Sequence, residues 1–379
     1  MIQKYDRALI GKMGGYVLAA VLFLNGLNYC SAQALRDTTG TRLTEKEDKW
    51  YHPVVDSERV NLYDKHFGLT FYLQQKNVRQ NFQSMKNNHH LIYQPNRGIA
   101  LGLGFVYRYL ALSGTFNVIQ NKPNETIRTK ALDFQSQLSG RRYVSFLYAQ
   151  YYKGFFSDQS FVLAPGQEAY ARPDMGMVFL GAATSFGLKK DFSFSANISS
   201  VQWQKRSGGT PLISLDIFLG INKADSVFVP RNIAADYYHA DVLKNRIWSL
   251  GLGAGYAYTY VFDKHFFMTG IVSAKVPVNF IKRTNTLGQT GEEVSMGVNL
   301  SLWAKVGYNS DFWNLALLAT NNRIPIGGTV FEPNFVSNTG YLRLMYTQRF
   351  LIGKKRRKQL KPVDKLLDIP YKIFEKILP

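Results

Sequence analysis

From Ile99 onward, bulky and small side chains alternate. Ile99, Leu101, Leu103, Phe105, Tyr107 and Tyr109 fall on one side of an extended chain, and Ala100, Gly102, Gly104, Val106 and Arg108 fall on the other. The same period of two returns at Trp248: Leu250, Leu252, Tyr256, Tyr258 and Tyr260 oppose Ser249, Gly251, Gly253, Gly255, Ala257 and Thr259. Similar alternation marks 66–75, 111–119, 130–139, 141–152, 174–186, 191–204, 210–221, 265–279, 294–308, 311–321 and 339–350. A water-facing sheet would carry Lys and Glu opposite its apolar face, whereas these segments carry Gly, Ala, Ser and Thr. A crowded interior with lipid outside accounts for that inversion. The pattern predicts an all-β fold, a closed antiparallel transmembrane β-barrel.

The connections fit the same picture. Tight links such as Ser139-Gly140-Arg141 and Phe262-Asp263-Lys264-His265 alternate with long polar stretches near 76–97, 153–173, 281–293 and 322–337. A chain that starts and ends on one side of a membrane crosses an even number of times, so thirteen segments need adjustment. A turn at 222–225 with a short rising strand at 226–229 gives fourteen, the preferred count, although Pro230 weakens that strand. Twelve follows if a weaker segment lies inside the lumen.

The ends of the chain read differently. Lys4, Arg7 and Lys12 before the apolar stretch 16–24 form a secretory signal, with cleavage expected after Ala32. The expected organisation is a signal at 1–32, a periplasmic lead-in or plug at 33–65, the barrel at 66–350 and a basic amphipathic tail at 351–379. Cys30 is the single cysteine and falls within that signal, which excludes a disulfide framework or thiolate chemistry in the mature chain. Its alternative reading as a lipoprotein cysteine lacks the small residues that should precede it. Past the signal, no apolar run reaches the ~18 residues of a spanning helix. The expected location is the bacterial outer membrane, with both terminal segments in the periplasm.

The last barrel segment, 340–350, turns Leu342, Leu344, Tyr346 and Phe350 outward. It resembles the closing-strand signal read by the barrel assembly machinery, except that a tail follows. That tail opens with Lys354, Lys355, Arg356, Arg357 and Lys358; Val363, Leu366, Leu367, Phe374 and Ile377 then recur at helical spacing, divided by Pro370. An interfacial helical anchor on anionic headgroups is favoured over a solubilising tail.

Charge and composition narrow the partners. A formal net charge of +20 and 14% aromatic residues in an exported chain point to outer-membrane lipid headgroups or anionic solutes, not to nucleic acid. Alternation places Arg108, Asp133, Gln135, Asp216, Lys275, Asn299, Lys305, Arg343 and Arg349 on inward faces. Their basic excess predicts a lumen that favours anions; the alternative is that they pair with one another or with a plug and fix the barrel's shape. In the polar run 202–210, Gln204, Lys205, Arg206, Ser207, Gly208 and Gly209 form a rim motif beside Trp203. It either binds an acidic headgroup or glycan or, as preferred, forms a tight hairpin capping the rim.

Candidate chemistry is sparse. None of His52, His66, His89, His90, His239 and His265 stands at an outward mid-strand position beside a serine, as a barrel lipase would need. His89-His90 has no nearby carboxylates to complete a metal site, and no dinucleotide or phosphate-cradling glycine motif occurs. The expectation is no catalytic residues, metal or cofactor.

Several stretches carry a family resemblance: Tyr93-Gln94-Pro95-Asn96, Tyr152-Lys153-Gly154-Phe155, and Phe192-Ser193-Phe194 leading to Gln204-Lys205-Arg206-Ser207-Gly208-Gly209-Thr210. Asp225-Ser226 with Pro230 and then Gly255-Tyr256-Ala257-Tyr258 follow in the same order. Together they resemble an uncharacterised family of Bacteroidetes outer-membrane barrels known only as a domain of unknown function, over most of 60–350. The resemblance implies an outer-membrane barrel and supplies no activity. Asp37-Thr38-Thr39 and Asp225-Ser226-Val227 resemble the O-glycosylation triplet of such bacteria. Three functions are left: a conduit for small anionic solutes, a structural or assembly partner in an envelope complex, and, ranked below both, a lipid-modifying enzyme.

Overall fold

The computed structural model describes residues 60–367 apart from 63–65, 87–88, 109, 123–125, 141, 190, 199–201 and 330–332. The expected signal, most of the lead-in, Asp37-Thr38-Thr39 and the tail beyond 367 lie outside the described residues. The chain opens with β1 (Val60–Leu62), β2 (His66–Phe82), β3 (Leu91–Pro95), β4 (Ile99–Tyr107), β5 (Leu110–Asn117), β6 (Lys130–Ser139) and β7 (Tyr143–Ser157). After β8 (Tyr170–Gly187) come the short helix α1 (Phe194–Asn197), β9 (Gln202–Gln204), β10 (Gly208–Lys223), β11 (Val242–Phe262) and β12 (Phe266–Asn285). Then follow β13 (Thr290–Met296), β14 (Asn299–Asn309), β15 (Trp313–Gly328), β16 (Pro333–Leu351) and the helix α2 (Lys354–Leu367).

Fourteen strands form one antiparallel sheet that closes on itself. They make twelve chain passes, because β3 continues into β4 and β13 into β14 along single descents beside β2 and β12. The ring closes where β16 pairs β2 from Leu351↔His66 to Phe335↔Phe82, so both barrel ends of the chain meet at one rim, the near rim. Ladder length varies around the wall. β11 and β12 pair from Val242↔Asn285 to Phe262↔Phe266, whereas β5 and β6 pair only from Leu110↔Leu138 to Gly114↔Phe134.

Sequence alternation becomes an inside and an outside. On β11, Trp248, Leu252, Tyr256, Tyr258 and Tyr260 are exposed while Ser249, Ala257 and Thr259 are fully buried. From Trp248 to Tyr260 is about 40 Å of strand, or about 30 Å along the axis at a tilt of about 40°. Aromatic side chains mark both edges of that belt. Trp248 meets Phe280 at 5.2 Å on one side; on the other, Phe266, Tyr308, Trp313 and Tyr346 run in contact at 4.9, 5.1 and 6.2 Å. Among the described residues no helix is long and apolar enough to cross a membrane.

Two details differ from the sequence reading. The segment 191–204 is not a wall strand: Ser193 caps α1, accepting from Ala196 N at 3.3 Å, and β9 pairs with β1 outside the ring. Its Phe192-Ser193-Phe194-Ser195 alternation mimics a strand, yet both faces are buried because the segment folds into the lumen. Nor is 226–229 a rising strand. Phe228 and Val229 are buried under the far rim, and Pro230, which cannot donate to a ladder, leads into the turn Arg231–Asp236.

Candidate functional site

Twelve strands about 4.8 Å apart and tilted by about 40° make a backbone ring roughly 24 Å across. Side chains projecting inward from the wall leave a narrow lumen to fill. Two apolar clusters fill its ends. At the near end, Phe192, Phe194 and Ile198 pack against Tyr72, Leu212, Ala257 and Trp303 from the surrounding wall. Phe192 and Phe194 meet edge to face at 5.0 Å.

Polar contacts fasten this near plug. Ser195 N donates to Gly140 O at 3.0 Å, Lys305 Nζ to Asn197 O at 3.1 Å, and Thr269 Oγ1 to Asn197 Oδ1 at 3.2 Å. Gln204 Oε1 accepts from Ser193 N at 3.0 Å and from Asn197 Nδ2 at 2.9 Å, while its Nε2 donates to Arg206 O at 3.0 Å. The rim motif therefore belongs to a long re-entrant connection instead of a tight hairpin. Trp203 Nε1 donates to Lys264 O at 2.8 Å, and Lys205 Nζ lies 5.8 Å from the Trp203 ring centre. Ser207 Oγ accepts from Val261 N at 2.9 Å. A Cβ on Gly208 would sit 2.2 Å from Asp191 O, and one on Gly209 would meet the Tyr258 ring at 2.6 Å, so backbone approaches there that only glycine permits.

At the far end, Phe82, Tyr93, Phe155, Phe218, Phe228 and Phe335 belong to a second buried cluster. Arg172 pins the loop after β10 to it. Its guanidinium pairs with Asp174 at 2.9 Å and donates to the carbonyls of Ser226 at 3.1 Å and Val227 at 2.9 Å; Tyr93 Oη donates to Phe228 O at 2.7 Å. Ser226 Oγ, in the second glycosylation-like triplet, donates to Asp174 Oδ2 at 3.1 Å. Burial alone would raise the Asp174 carboxyl, but hydrogen bonds and charge from Arg172, with further bonds from Ser226, hold it down at about 2.

Between the clusters lies a cavity of about 230 Å³. Asp216 and Lys275 pair directly on one side of it, with Lys275 Nζ donating to Asp216 Oδ2 at 2.7 Å and to Ser301 Oγ at 3.2 Å. Asn299 stands beside Lys275 in the β12–β14 register. On another part of the wall the Arg343 guanidinium lies 4.0 Å from the Tyr72 ring centre and 4.5 Å from that of Tyr341, and donates to Gln74 Oε1 at 2.9 and 2.5 Å. Gln135 Oε1 accepts a longer bond from Arg343, at 3.4 Å.

Asp133 pairs with Lys76 and accepts from Tyr152 Oη at 2.6 Å. Arg349 serves the near turn, donating to Ser310 O at 2.5 Å and Asn309 Oδ1 at 2.7 Å. Arg108 stands outside the lumen, a correction to its inward assignment. It sits in the β4–β5 turn at φ 51° and pairs with Asp364 of α2 at 3.0 Å; the strand period ends at Tyr107, so its extrapolation to Arg108 fails. Gln74, inside the alternating segment 66–75, was not among the inward residues named from sequence, and Lys76 escaped because everything after 75 was read as loop. Lys76, Val78 and Gln80 in fact continue the inward period to the end of β2, hidden because the outward Asn77 and Arg79 are polar as well.

Residues 54–350 match the family model described as a domain of unknown function, DUF4421. No curated protein matches the chain. Among solved structures, the outer membrane protease OmpT from Escherichia coli is similar at 7% identity with a TM-score of 0.31, over 76% of this chain and 97% of that one. An outer membrane channel from Pseudomonas putida F1 is similar at 12% identity and 0.33, over 75% and 95%. Ail, the attachment invasion locus protein of Yersinia pestis, is similar at 11% identity and 0.21, over 75% and 98%.

Proposed function

The chain belongs to the DUF4421 family, a domain of unknown function, and from its own geometry we propose a non-conducting integral outer-membrane barrel that serves as a structural or assembly partner in the envelope. The observation that carries this reading is the pair of buried apolar clusters, each drawing residues from around the ring, that fill the lumen at both ends. Water and ions need a continuous polar path, and apolar side chains packed across a lumen exclude one. The belt about 30 Å tall between aromatic edges supports insertion in a bilayer. The ordered motifs support a Bacteroidetes envelope as its setting.

The near rim is read as periplasmic, with both terminal segments there and the last strand presented to the barrel assembly machinery. Helix α2 supports the partner role. Arg108 Nη1 and Tyr107 Oη both donate to Asp364 Oδ1, at 3.0 and 2.9 Å, while Leu360 packs near Tyr107 and Ile352, so the helix is seated against the barrel. Lys355, Lys358, Lys361 and Lys365 stay exposed for inner-leaflet headgroups or an acidic partner surface. Reconstitution of the purified full chain in planar bilayers tests the reading: a flat baseline is expected, and stable conductance steps overturn it. A gated conduit for anions is the second reading, favoured by Arg343, which forms no ion pair among the described residues. Steps with anion preference would select it.

A further inference from the structure

The central cavity holds more hydrogen-bonding capacity than its wall consumes. Asn299 is 2% exposed, and neither its Nδ2 nor its Oδ1 finds a partner among the described residues. Asp216 Oδ1 and Gln150 Oε1, in residues 8% and 5% exposed, are likewise unpartnered, and all three side chains line the same cavity. A buried polar atom left without a bond is costly, so several around one cavity mark a surface shaped for something that bonds to it.

The chemistry of the wall describes that occupant. On one side Lys275 is neutralised by Asp216, leaving a carboxylate oxygen that needs a donor and an Asn299 amide able both to donate and to accept. On the other, Arg343 is held in place by Gln74 and two aromatic rings and lacks an ion-pair partner among the described residues, so it contributes a net positive charge. Trp303, Leu318 and Ile271 also line the cavity. Its volume of about 230 Å³ compares with roughly 150 Å³ for a cavity that takes benzene, which allows a body of about ten non-hydrogen atoms.

We propose that this cavity is a binding site for a small amphipathic anion: an acid group against Arg343, an aromatic or aliphatic body across the apolar wall, and a hydroxyl or amine at Asp216 and Asn299. The site is independent of whether the barrel conducts, so its test and the bilayer recording can fail separately.

The probe is 4-hydroxybenzoate, titrated calorimetrically into the full-length folded protein in detergent. Saturable binding near one molecule per chain is expected, weakened at least tenfold when the methyl ester replaces the acid. Arg343→Gln should weaken the acid tenfold or more while leaving the ester unchanged. Asn299→Leu should also weaken binding about tenfold and leave unfolding by denaturant unchanged or shifted upward, since it removes an unpartnered amide from a site of the same size. This variant carries the test if Arg343→Gln does not fold. Absence of saturable heat, with the polar wall satisfied by water only, overturns the proposal; so does Asn299→Leu binding with the affinity of the original protein.

Discussion

Phe194→Ala probes what keeps the near end closed. Phe194 is wholly buried, packed edge to face on Phe192 and surrounded by wall residues of the near cluster. Truncating a buried Phe costs about 3–5 kcal/mol, through lost transfer free energy and the cavity left behind. That loss falls on docking of the plug, because the wall keeps its own ladders whether or not 192–198 is seated. The polar ties from Gly140, Lys305 and Thr269 persist and oppose release. With about 3 kcal/mol removed from docking, the undocked population rises more than about a hundredfold. Thiol labelling reads this directly. Ala196 is 3% exposed, and Cys30 is the chain's single cysteine, so Ala196→Cys in a Cys30→Ser background gives one reporter inside the plug. The reporter should label slowly by itself and at least a hundredfold faster with Phe194→Ala added, while the barrel remains folded by gel mobility without heating. A change of less than about threefold would refute the view that aromatic packing holds the plug.

The buried pair at the cavity gives a double-mutant cycle: Asp216→Leu alone should cost about 3–5 kcal/mol by stranding Lys275, and adding Lys275→Met should recover most of it in denaturant titrations. At the far loop, the Asp174 carboxyl sits below its ordinary value, so its contribution is complete above about pH 4 and disappears as pH falls through about 2. Amide exchange at Asp225 and Ser226, which donate to Asp174 at 3.2 and 3.3 Å, should accelerate on acidification, and Asp174→Asn should remove that dependence. Arg108→Ala should release α2, seen as trypsin cleavage after Lys355 and Lys358 several times faster with the barrel resistant; equal cleavage would mean the ion pair does not seat the helix. The short β5–β6 ladder should make amides of 115–117 and 131–133 exchange faster than those of β11 and β12, and uniform protection would show the wall is continuous there.

The outside of the barrel was legible in the chain because lipid imposes one rule on every pass. A wall strand must turn an apolar side chain outward at each second residue, and that period survives reading without any partner strand. Ile99, Leu101 and Phe105 on β4, and Trp248 to Tyr260 on β11, therefore lie where alternation put them. The paired first and last strands follow from the same rule, since a barrel has no edge. What fills the lumen obeys no such local period. Phe192-Ser193-Phe194-Ser195 satisfies the strand pattern as well as any wall segment does, and only the surrounding ring buries both of its faces and turns it into a plug. The inward charges were visible one by one, but Asp216 and Lys275 are 59 positions apart, and Arg343 lies against Tyr72 from the opposite end of the chain. Sequence by itself determined the alternating wall and the polarity of its inner face. Closure of the ring decided which inner groups neutralise each other, which are left around the cavity, and that the lumen is filled at both ends, because those are distances between strands that local periodicity does not contain.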